Sequence, residues 1–210
     1  MTDQSPPNYY YPNKMGRIIL MAMEEVLGRN GVNAALNIAD LPQFINHYPP
    51  NNLDMGLRFD QLSHMQTALE RLYGLEGGRG LALRSGRVCF KYGLREFGPL
   101  LGCTDLAFRL LPLSAKLRVG SEIFARTFNE FSDQRVRVEE TPETFLWHIE
   151  RCPVCWQRHA DHPVCHLAVG ILQEALYWVS GGKFFSVEET NCVAKGDPAC
   201  TIKIDKQPLE

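Results

Sequence analysis

The stretch from Glu188 to Cys200 reads EETNCVAKGDPAC and contains two cysteines on either side of a tight-turn sequence. Its centre, Lys195-Gly196-Asp197-Pro198, has the Gly, Asp and Pro residues that turns favour. The flanking residues predict two strands, over 183–194 and 200–205. A hairpin of this length brings the thiols of Cys192 and its partner close enough to bind one ion.

Three thiols and one carboxylate converge if this hairpin forms. Cys165 begins the last long helix, Glu189 and Cys192 lie on the penultimate strand, and Cys200 begins the final strand. Zinc prefers four ligands in a tetrahedron, and thiolates and carboxylates are among its ligands. The pattern predicts a closed structural zinc site that ties the helix to the hairpin. The alternative is that these cysteines are small buried hydrophobic residues.

The other cysteines leave several interpretations open. The chain has seven cysteines, and an odd number without an export signal argues against a disulfide framework. Cys152-Pro153-Val154-Cys155 is a CxxC motif that could form a second metal site with a histidine, a redox pair, or surface thiols. Cys89 and Cys103 fall in the helical half, where burial is the simplest interpretation.

Composition narrows the function class. The chain has 210 residues, of which 45% are hydrophobic and 22% are charged, with a net charge of −2. The absence of a basic excess argues against nucleic-acid binding. No apolar stretch is long enough to span a membrane, and the polar N-terminus does not resemble a signal peptide. We therefore expect a cytoplasmic protein.

Hydrophobic periodicity predicts an α+β fold, with a helical N-terminal half packed on a small antiparallel sheet. Residues 1–13 are expected to be a disordered arm, and residues 14–79 a helical extension of the domain at 80–205. The predicted helices span 14–29, 32–38, 60–73, 81–97, 106–131 with a break at Pro112, and 163–180. Further strands are predicted over 135–140 and 144–150.

The sequence contains no convincing catalytic set, because GxSxG, HExxH and paired-carboxylate motifs are absent. Trp147 and His148 are neighbours on a predicted strand and must face opposite sides of it. One of the two could line a pocket, although a core Trp and an exposed His explain the pair equally well.

The C-terminal half resembles the 4-vinyl-reductase domain family. The diagnostic pattern E-x-x-C-x-x-x-G-[DQ]-x-x-C is present from Glu189 to Cys200, and the resemblance covers about residues 80–205. It implies an α+β fold with a hydrophobic pocket under the helices. It also implies zinc held by three Cys and one Glu, which by position are Cys165, Glu189, Cys192 and Cys200.

The resemblance implies two functions. Related domains sense phenol or toluene in bacterial activators, which favours a module that holds a small apolar or tetrapyrrole-like ligand. The phenol-binding His and Trp of those domains do not align with Trp147 and His148. The family was named for reduction of the 8-vinyl group of chlorophyll precursors, so an accessory or enzyme of (bacterio)chlorophyll synthesis is the alternative. Without a dinucleotide fingerprint, reduction by this chain alone is disfavoured. We also expect a homodimer, formed through the helix at 14–29.

Overall fold

The computed structural model describes residues 7–101 and 106–209, and within them the predicted α+β class is confirmed. Helices make up most of the N-terminal half, and strands enclose the last helix in the C-terminal half. The elements are β1 (Tyr10–Pro12), α1 (Asn13–Ile38), β2 (Met55–Arg58), α2 (Phe59–Leu101), α3 (Leu106–Arg109), α4 (Leu113–Phe131), β3 (Arg135–Glu140), β4 (Thr144–Arg151), α5 (His166–Ser180), β5 (Phe185–Asn191) and β6 (Cys200–Pro208).

The main sheet has the strand order β3-β4-β6-β5 and is antiparallel throughout. Because side chains alternate along a strand, Phe145, Trp147 and Ile149 of β4 share one face. All three are buried, and they pack with residues of the helical half in one hydrophobic core. In the register of β4 and β6, Ile149 lies opposite Cys200, which brings the first residue of β6 next to the end of β4.

Helices α2 and α5 cross at two glycines that allow their backbones to touch. A Cβ atom on Gly86 would lie 2.2 Å from the carbonyl oxygen of Leu167, and one on Gly170 would lie 2.1 Å from that of Leu83. No real Cβ atom approaches a backbone so closely. The two glycines therefore set how near the start of α5 comes to α2.

Two further glycines interrupt the long helices. Gly28 has φ = 71° and Gly74 has φ = 74°, a left-handed conformation that glycine adopts at little cost. The predicted stop of the first helix at Asn30-Gly31 is thus placed too late. The predicted end of the helix at Tyr73 agrees with the break at Gly74, but the helix resumes immediately afterwards.

The N-terminal region differs from the predicted disordered arm. Residues 1–6 lie outside the described part of the chain, but Tyr10–Pro12 forms β1, which pairs with β2. Tyr11 is buried and its ring lies 5.2 Å from that of Phe59. This segment is ordered because an aromatic side chain in the core compensates for the entropy of fixing a short strand.

Helix α1 does not offer the dimer interface expected over residues 14–29. Its apolar side chains, including Ile18, Leu20 and Met23, are buried within the chain's own core. The same helix contacts α2 and β2, so its apolar face is already covered. Among the described residues, no helix combines the length and hydropathy that a membrane-spanning segment needs.

Candidate metal centre and ligand cavity

Five cysteines and one glutamate meet where three chain segments converge. Cys152 and Cys155 directly follow β4, and Cys165 is the residue that precedes the first turn of α5. Cys192 follows β5 and Cys200 begins β6, so the turn between them closes the predicted hairpin. All five thiols are buried. The cluster thus joins the end of the sheet to the start of the last helix.

The sulfur atoms lie at the spacing of ligands around a metal ion. Cys165 Sγ lies 3.6 Å from Cys200 Sγ, and each of them lies 3.9 Å from Cys192 Sγ. Cys152 Sγ is 3.4 Å from Cys165 Sγ, and Cys155 Sγ is 3.3 Å from Cys200 Sγ. A regular tetrahedron with metal–sulfur bonds of about 2.3 Å places its sulfur atoms about 3.8 Å apart.

Glu189 completes the predicted set and has one oxygen atom without a partner. Its Oε2 accepts a hydrogen bond of 2.7 Å from the Cys165 N–H, whereas the buried Oε1 has no hydrogen-bond partner. Burial, and then the negative charge of Cys192, raises the pKa of Glu189 to about 9. A buried carboxylate in this state needs a cation to remain ionised at neutral pH. The residues present therefore fit a metal ion.

The surrounding backbone favours negative charge on the cluster. The Val193 N–H donates to Cys200 Sγ over 3.3 Å, and Cys165 lies at the N-terminus of α5, where the helix dipole stabilises anions. Asp197 Oδ2 accepts from the Cys192 N–H at 2.8 Å, which holds the predicted turn. The backbone thus stabilises thiolates at Cys165 and Cys200.

The structure brings all four predicted ligands together, and it adds two that the sequence interpretation kept separate. One group of four that could hold an ion is Cys165, Glu189, Cys192 and Cys200; the other is Cys152, Cys155, Cys165 and Cys200. The signal for the second group was the CxxC motif, which begins 13 residues before Cys165. Neither group includes a histidine. Cys89 is buried away from both groups, and Cys103 lies outside the described residues.

An apolar cavity of about 160 Å³ lies between the helices and the sheet. Residues of α2, α4 and α5 form most of its wall, and β4 closes one side. At one end the Tyr11 hydroxyl donates to Gln134 Oε1, which satisfies both polar groups. The apolar lining includes Phe90, Leu94, Phe97, Phe124, Phe128, Trp147, Ala168, Leu172 and Ala175.

The structure places Trp147, but not His148, in the lining of this cavity. The Trp147 ring packs on Phe124, with 5.6 Å between ring centres. His148 faces the opposite side of β4, where its Nδ1 lies 3.0 Å from Thr201 Oγ1. Burial, and then the charge of Arg137, lowers the pKa of His148. The two residues separate because neighbours on a strand face opposite ways.

Helix α5 connects the two features. It starts beside the cluster at Cys165, and its Ala168, Leu172 and Ala175 line the cavity. The metal centre and the cavity therefore share one rigid element, and ions at the cluster would determine where that element begins.

Solved structures with this fold include haem and phenol proteins. An H-NOX protein from S. oneidensis is 10% identical, with 92% of this chain and 99% of that chain covered and a TM-score of 0.57. An H-NOX mutant from K. algicida is 12% identical, with coverages of 95% and 97% and a TM-score of 0.59. At these identities the likeness shows the fold alone.

The phenol-responsive sensory domain of the transcription activator PoxR, solved with phenol, is 22% identical. The match covers 71% of this chain and 74% of that chain, with a TM-score of 0.51. No curated protein sequence matches the chain. The family model of the 4-vinyl-reductase domain matches residues 147–206, a range that holds β4, α5, the hairpin and all six cluster residues. The resemblance predicted from Glu189, Cys192 and Cys200 is confirmed: residues 147–206 match the 4-vinyl-reductase domain.

Proposed function

We propose that this chain is a small-molecule-binding module that holds an apolar ligand in the cavity between α2, α4, α5 and β4, with structural zinc at the cysteine cluster. The observation that carries the proposal is the cavity of about 160 Å³, whose wall is almost entirely apolar. Buried apolar space of this kind is costly to leave empty and suits a hydrophobic ligand. The family match and the sensory-domain fold support the same class of function.

The cavity size favours a ligand of about one aromatic ring. An apolar cavity of about 150 Å³ in another protein stays dry and binds benzene. The cavity here is about 160 Å³, and its aromatic wall suits edge-to-face contacts with a ring. A tetrapyrrole is several times larger, so the helices would have to separate to admit it.

Zinc in this proposal has a structural role. Cys165, Glu189, Cys192 and Cys200 would bind the ion and connect the start of α5 to the hairpin of β5 and β6. When bound, the ion neutralises buried thiolates and cross-links segments that are distant in the sequence. The protein side chains hold α5 in place, which keeps the cavity wall formed.

A thermal-shift experiment with single-ring ligands tests the proposal. Toluene and phenol should raise the melting temperature in proportion to the logarithm of their concentration, because they bind only the folded state. The variant Ala175→Leu should fill the cavity and abolish the shift. The matched control Ser114→Leu enlarges an exposed residue of α4 outside the lining and should retain it. Absence of a shift with every apolar ligand would contradict the proposal.

The family match favours a second candidate function, an accessory for reduction of the 8-vinyl group in (bacterio)chlorophyll synthesis. Such reduction needs a hydride donor, so this chain would hold the tetrapyrrole while a partner enzyme supplies the hydride. A divinyl tetrapyrrole should then bind, and its reduction by the partner with NADPH should accelerate when this chain is added. Binding of toluene without binding of any porphyrin separates the first function from the second.

We also propose that the chain forms a homodimer. Because the apolar face of α1 is buried, the interface would lie elsewhere, and the exposed Tyr177 and Phe184 at the end of α5 are the best candidates. Their rings lie 5.0 Å apart and form a small apolar surface. Light scattering should give twice the chain mass, and Phe184→Asp should reduce it to that of a monomer.

A further inference from the structure

Two four-ligand groups in the cluster share the edge between Cys165 Sγ and Cys200 Sγ. One group adds Glu189 and Cys192 to this edge, and the other adds Cys152 and Cys155. We propose that the cluster binds two divalent ions of the zinc type, bridged by the thiolates of Cys165 and Cys200. The inference rests on the single zinc ion proposed above and adds a second ion next to it.

The distances match two tetrahedra that share an edge. The shared edge measures 3.6 Å, and Cys152 and Cys155 approach opposite ends of it, at 3.4 Å and 3.3 Å. With metal–sulfur bonds of about 2.3 Å, an edge of this length places the two ions about 3 Å apart. Neither Cys152 nor Cys155 belongs to the group that contains Glu189, so each ion would have its own pair of terminal ligands.

Charge balance favours two ions over one. Five thiolates and one carboxylate carry six negative charges in a buried volume, and one divalent ion would leave four of them uncompensated. Alternatively, Cys152 and Cys155 would remain buried thiols pressed against thiolates. A second divalent ion reduces the excess to two negative charges, with release of the thiol protons to solvent.

The remaining charge falls on the bridging pair, where the backbone compensates for it. Cys200 Sγ accepts from the Val193 N–H, and Cys165 lies at the N-terminus of α5. In an iron–sulfur cluster, inorganic sulfide would occupy the bridging positions. Here the protein thiolates themselves occupy them, which points to zinc.

Metal content and X-ray absorption of the whole chain test the two-ion centre. The protein is produced with zinc supplied and is purified without oxygen. Elemental analysis should find two zinc ions per chain, and absorption at the zinc edge should show a metal neighbour at about 3 Å. Both readouts use the wild-type chain, so they decide the question even if a variant fails to fold.

Paired variants assign the ions. Replacement of Cys152 and Cys155 by Ala should remove one ion and the metal–metal signal, and leave the ion at Glu189 and Cys192. The control Cys89→Ala changes a buried cysteine outside the cluster and should keep both ions. Circular dichroism verifies that each variant retains its helices.

One zinc ion per chain without a metal neighbour would overturn the two-ion centre. If that ion survives the double variant and is lost in Cys192→Ser, the single-zinc proposal stands without the second ion. Two ions with no metal neighbour would overturn the thiolate bridge. A protein without metal, or with iron and acid-labile sulfide, would contradict both proposals.

Discussion

The two carboxylate oxygens of Glu189 are in different situations. Oε2 accepts a hydrogen bond from the backbone at the start of α5, which orients the carboxylate, while Oε1 is buried without a partner. One oxygen thus positions the side chain and the other is available to an ion. A hydrogen bond alone would not explain the second oxygen, because unpaired buried oxygen atoms are costly.

Replacement of Glu189 by Gln should weaken zinc binding with little effect on the shape of the site. The amide keeps an oxygen atom but loses the negative charge, so one ion per chain should bind at least about 10-fold more weakly, the lower end of what loss of a residue that only supports a ligand costs. Competition with a chelating dye measures the affinity. The control Glu188→Gln alters the exposed neighbour and should bind zinc as the wild type does.

Residues differ in how far the sequence could predict their roles. Cys192 and Cys200 flank a turn that local sequence specifies, and Cys165 was found because it begins a helix. Cys152 and Cys155 remained ambiguous because their approach to Cys165 and Cys200 depends on the path of the loop before α5. His148 was a wrong choice as a lining residue because a strand pattern shows that two neighbours diverge, but not which of them faces the helices.

At the level of elements, the crossing of α2 and α5 decides where the cluster and the cavity lie. Gly86 and Gly170 let the two helices touch, and the second of these glycines lies in the first half of α5, close to the cluster. The sequence could predict both helices from their periodicity. It could not predict the crossing, because the contact joins residues that are far apart in the chain. The pairing of β1 with β2 was missed for the same reason.

The variant Gly86→Ala should destabilise the protein by about 1–3 kcal/mol, because the added methyl group must push α5 away from α2. Gly80→Ala is a matched control on the same helix, where an added Cβ meets no atom within 4 Å. The control should be neutral or stabilising by up to about 1 kcal/mol. Urea denaturation measures both; equal stability of the two variants would contradict the close crossing.

The ion pairs of Glu140 connect α4 to the sheet. Arg118 Nε of α4 lies 2.7 Å from Glu140 Oε2, and Lys206 Nζ of β6 lies 2.7 Å from Oε1. The hydrogen bonds from Arg118, and then from Lys206, lower the pKa of Glu140 from its ordinary 4.5 to about 2. The stabilisation is therefore fully present above pH 4.5 and is lost as the pH falls towards 2.

Replacement of Glu140 by Gln should remove this acid-sensitive contribution. Because the pair is largely exposed, the loss at neutral pH should be small and should shrink in high salt. As the pH falls from 4.5 towards 2, the variant and the wild type should converge in stability. Urea denaturation at several pH values measures the difference, with Glu143→Gln in the exposed turn before β4 as the control. A difference that stays constant down to the lowest pH would contradict the prediction.

At the scale of the whole molecule, the chain combines a large helical half with a small sheet that is closed at one end by the cluster. The class of fold and the order of helices and strands could be predicted because their periodicities are local. The cavity could be predicted only through the family resemblance, since it forms between side chains from α1 to α5 that meet only after folding. Its volume and its aromatic wall are properties of that packing.

Removal of metal should destabilise the whole domain. Loss of ions that join three segments should cost at least about 3 kcal/mol, well below the gain of about 10–16 kcal/mol in small zinc-dependent domains. For a chain of this size, the melting temperature should fall by at least about 6 °C. Calorimetry before and after chelation measures the change, and re-addition of zinc should reverse it. An unchanged melting temperature in a protein verified to be metal-free would contradict a structural role.

Helix α5 begins on the cysteine cluster and ends beside the cavity, so the same 15 residues serve both. Any free energy that metal occupancy adds to ligand binding must return, in equal amount, as tighter metal binding when the ligand is present. A tenfold effect in one direction corresponds to about 1.4 kcal/mol in the other. Reciprocity between the two sites is thus built into a single helix, and the ligand of the cavity would report on, and protect, the ions at its start.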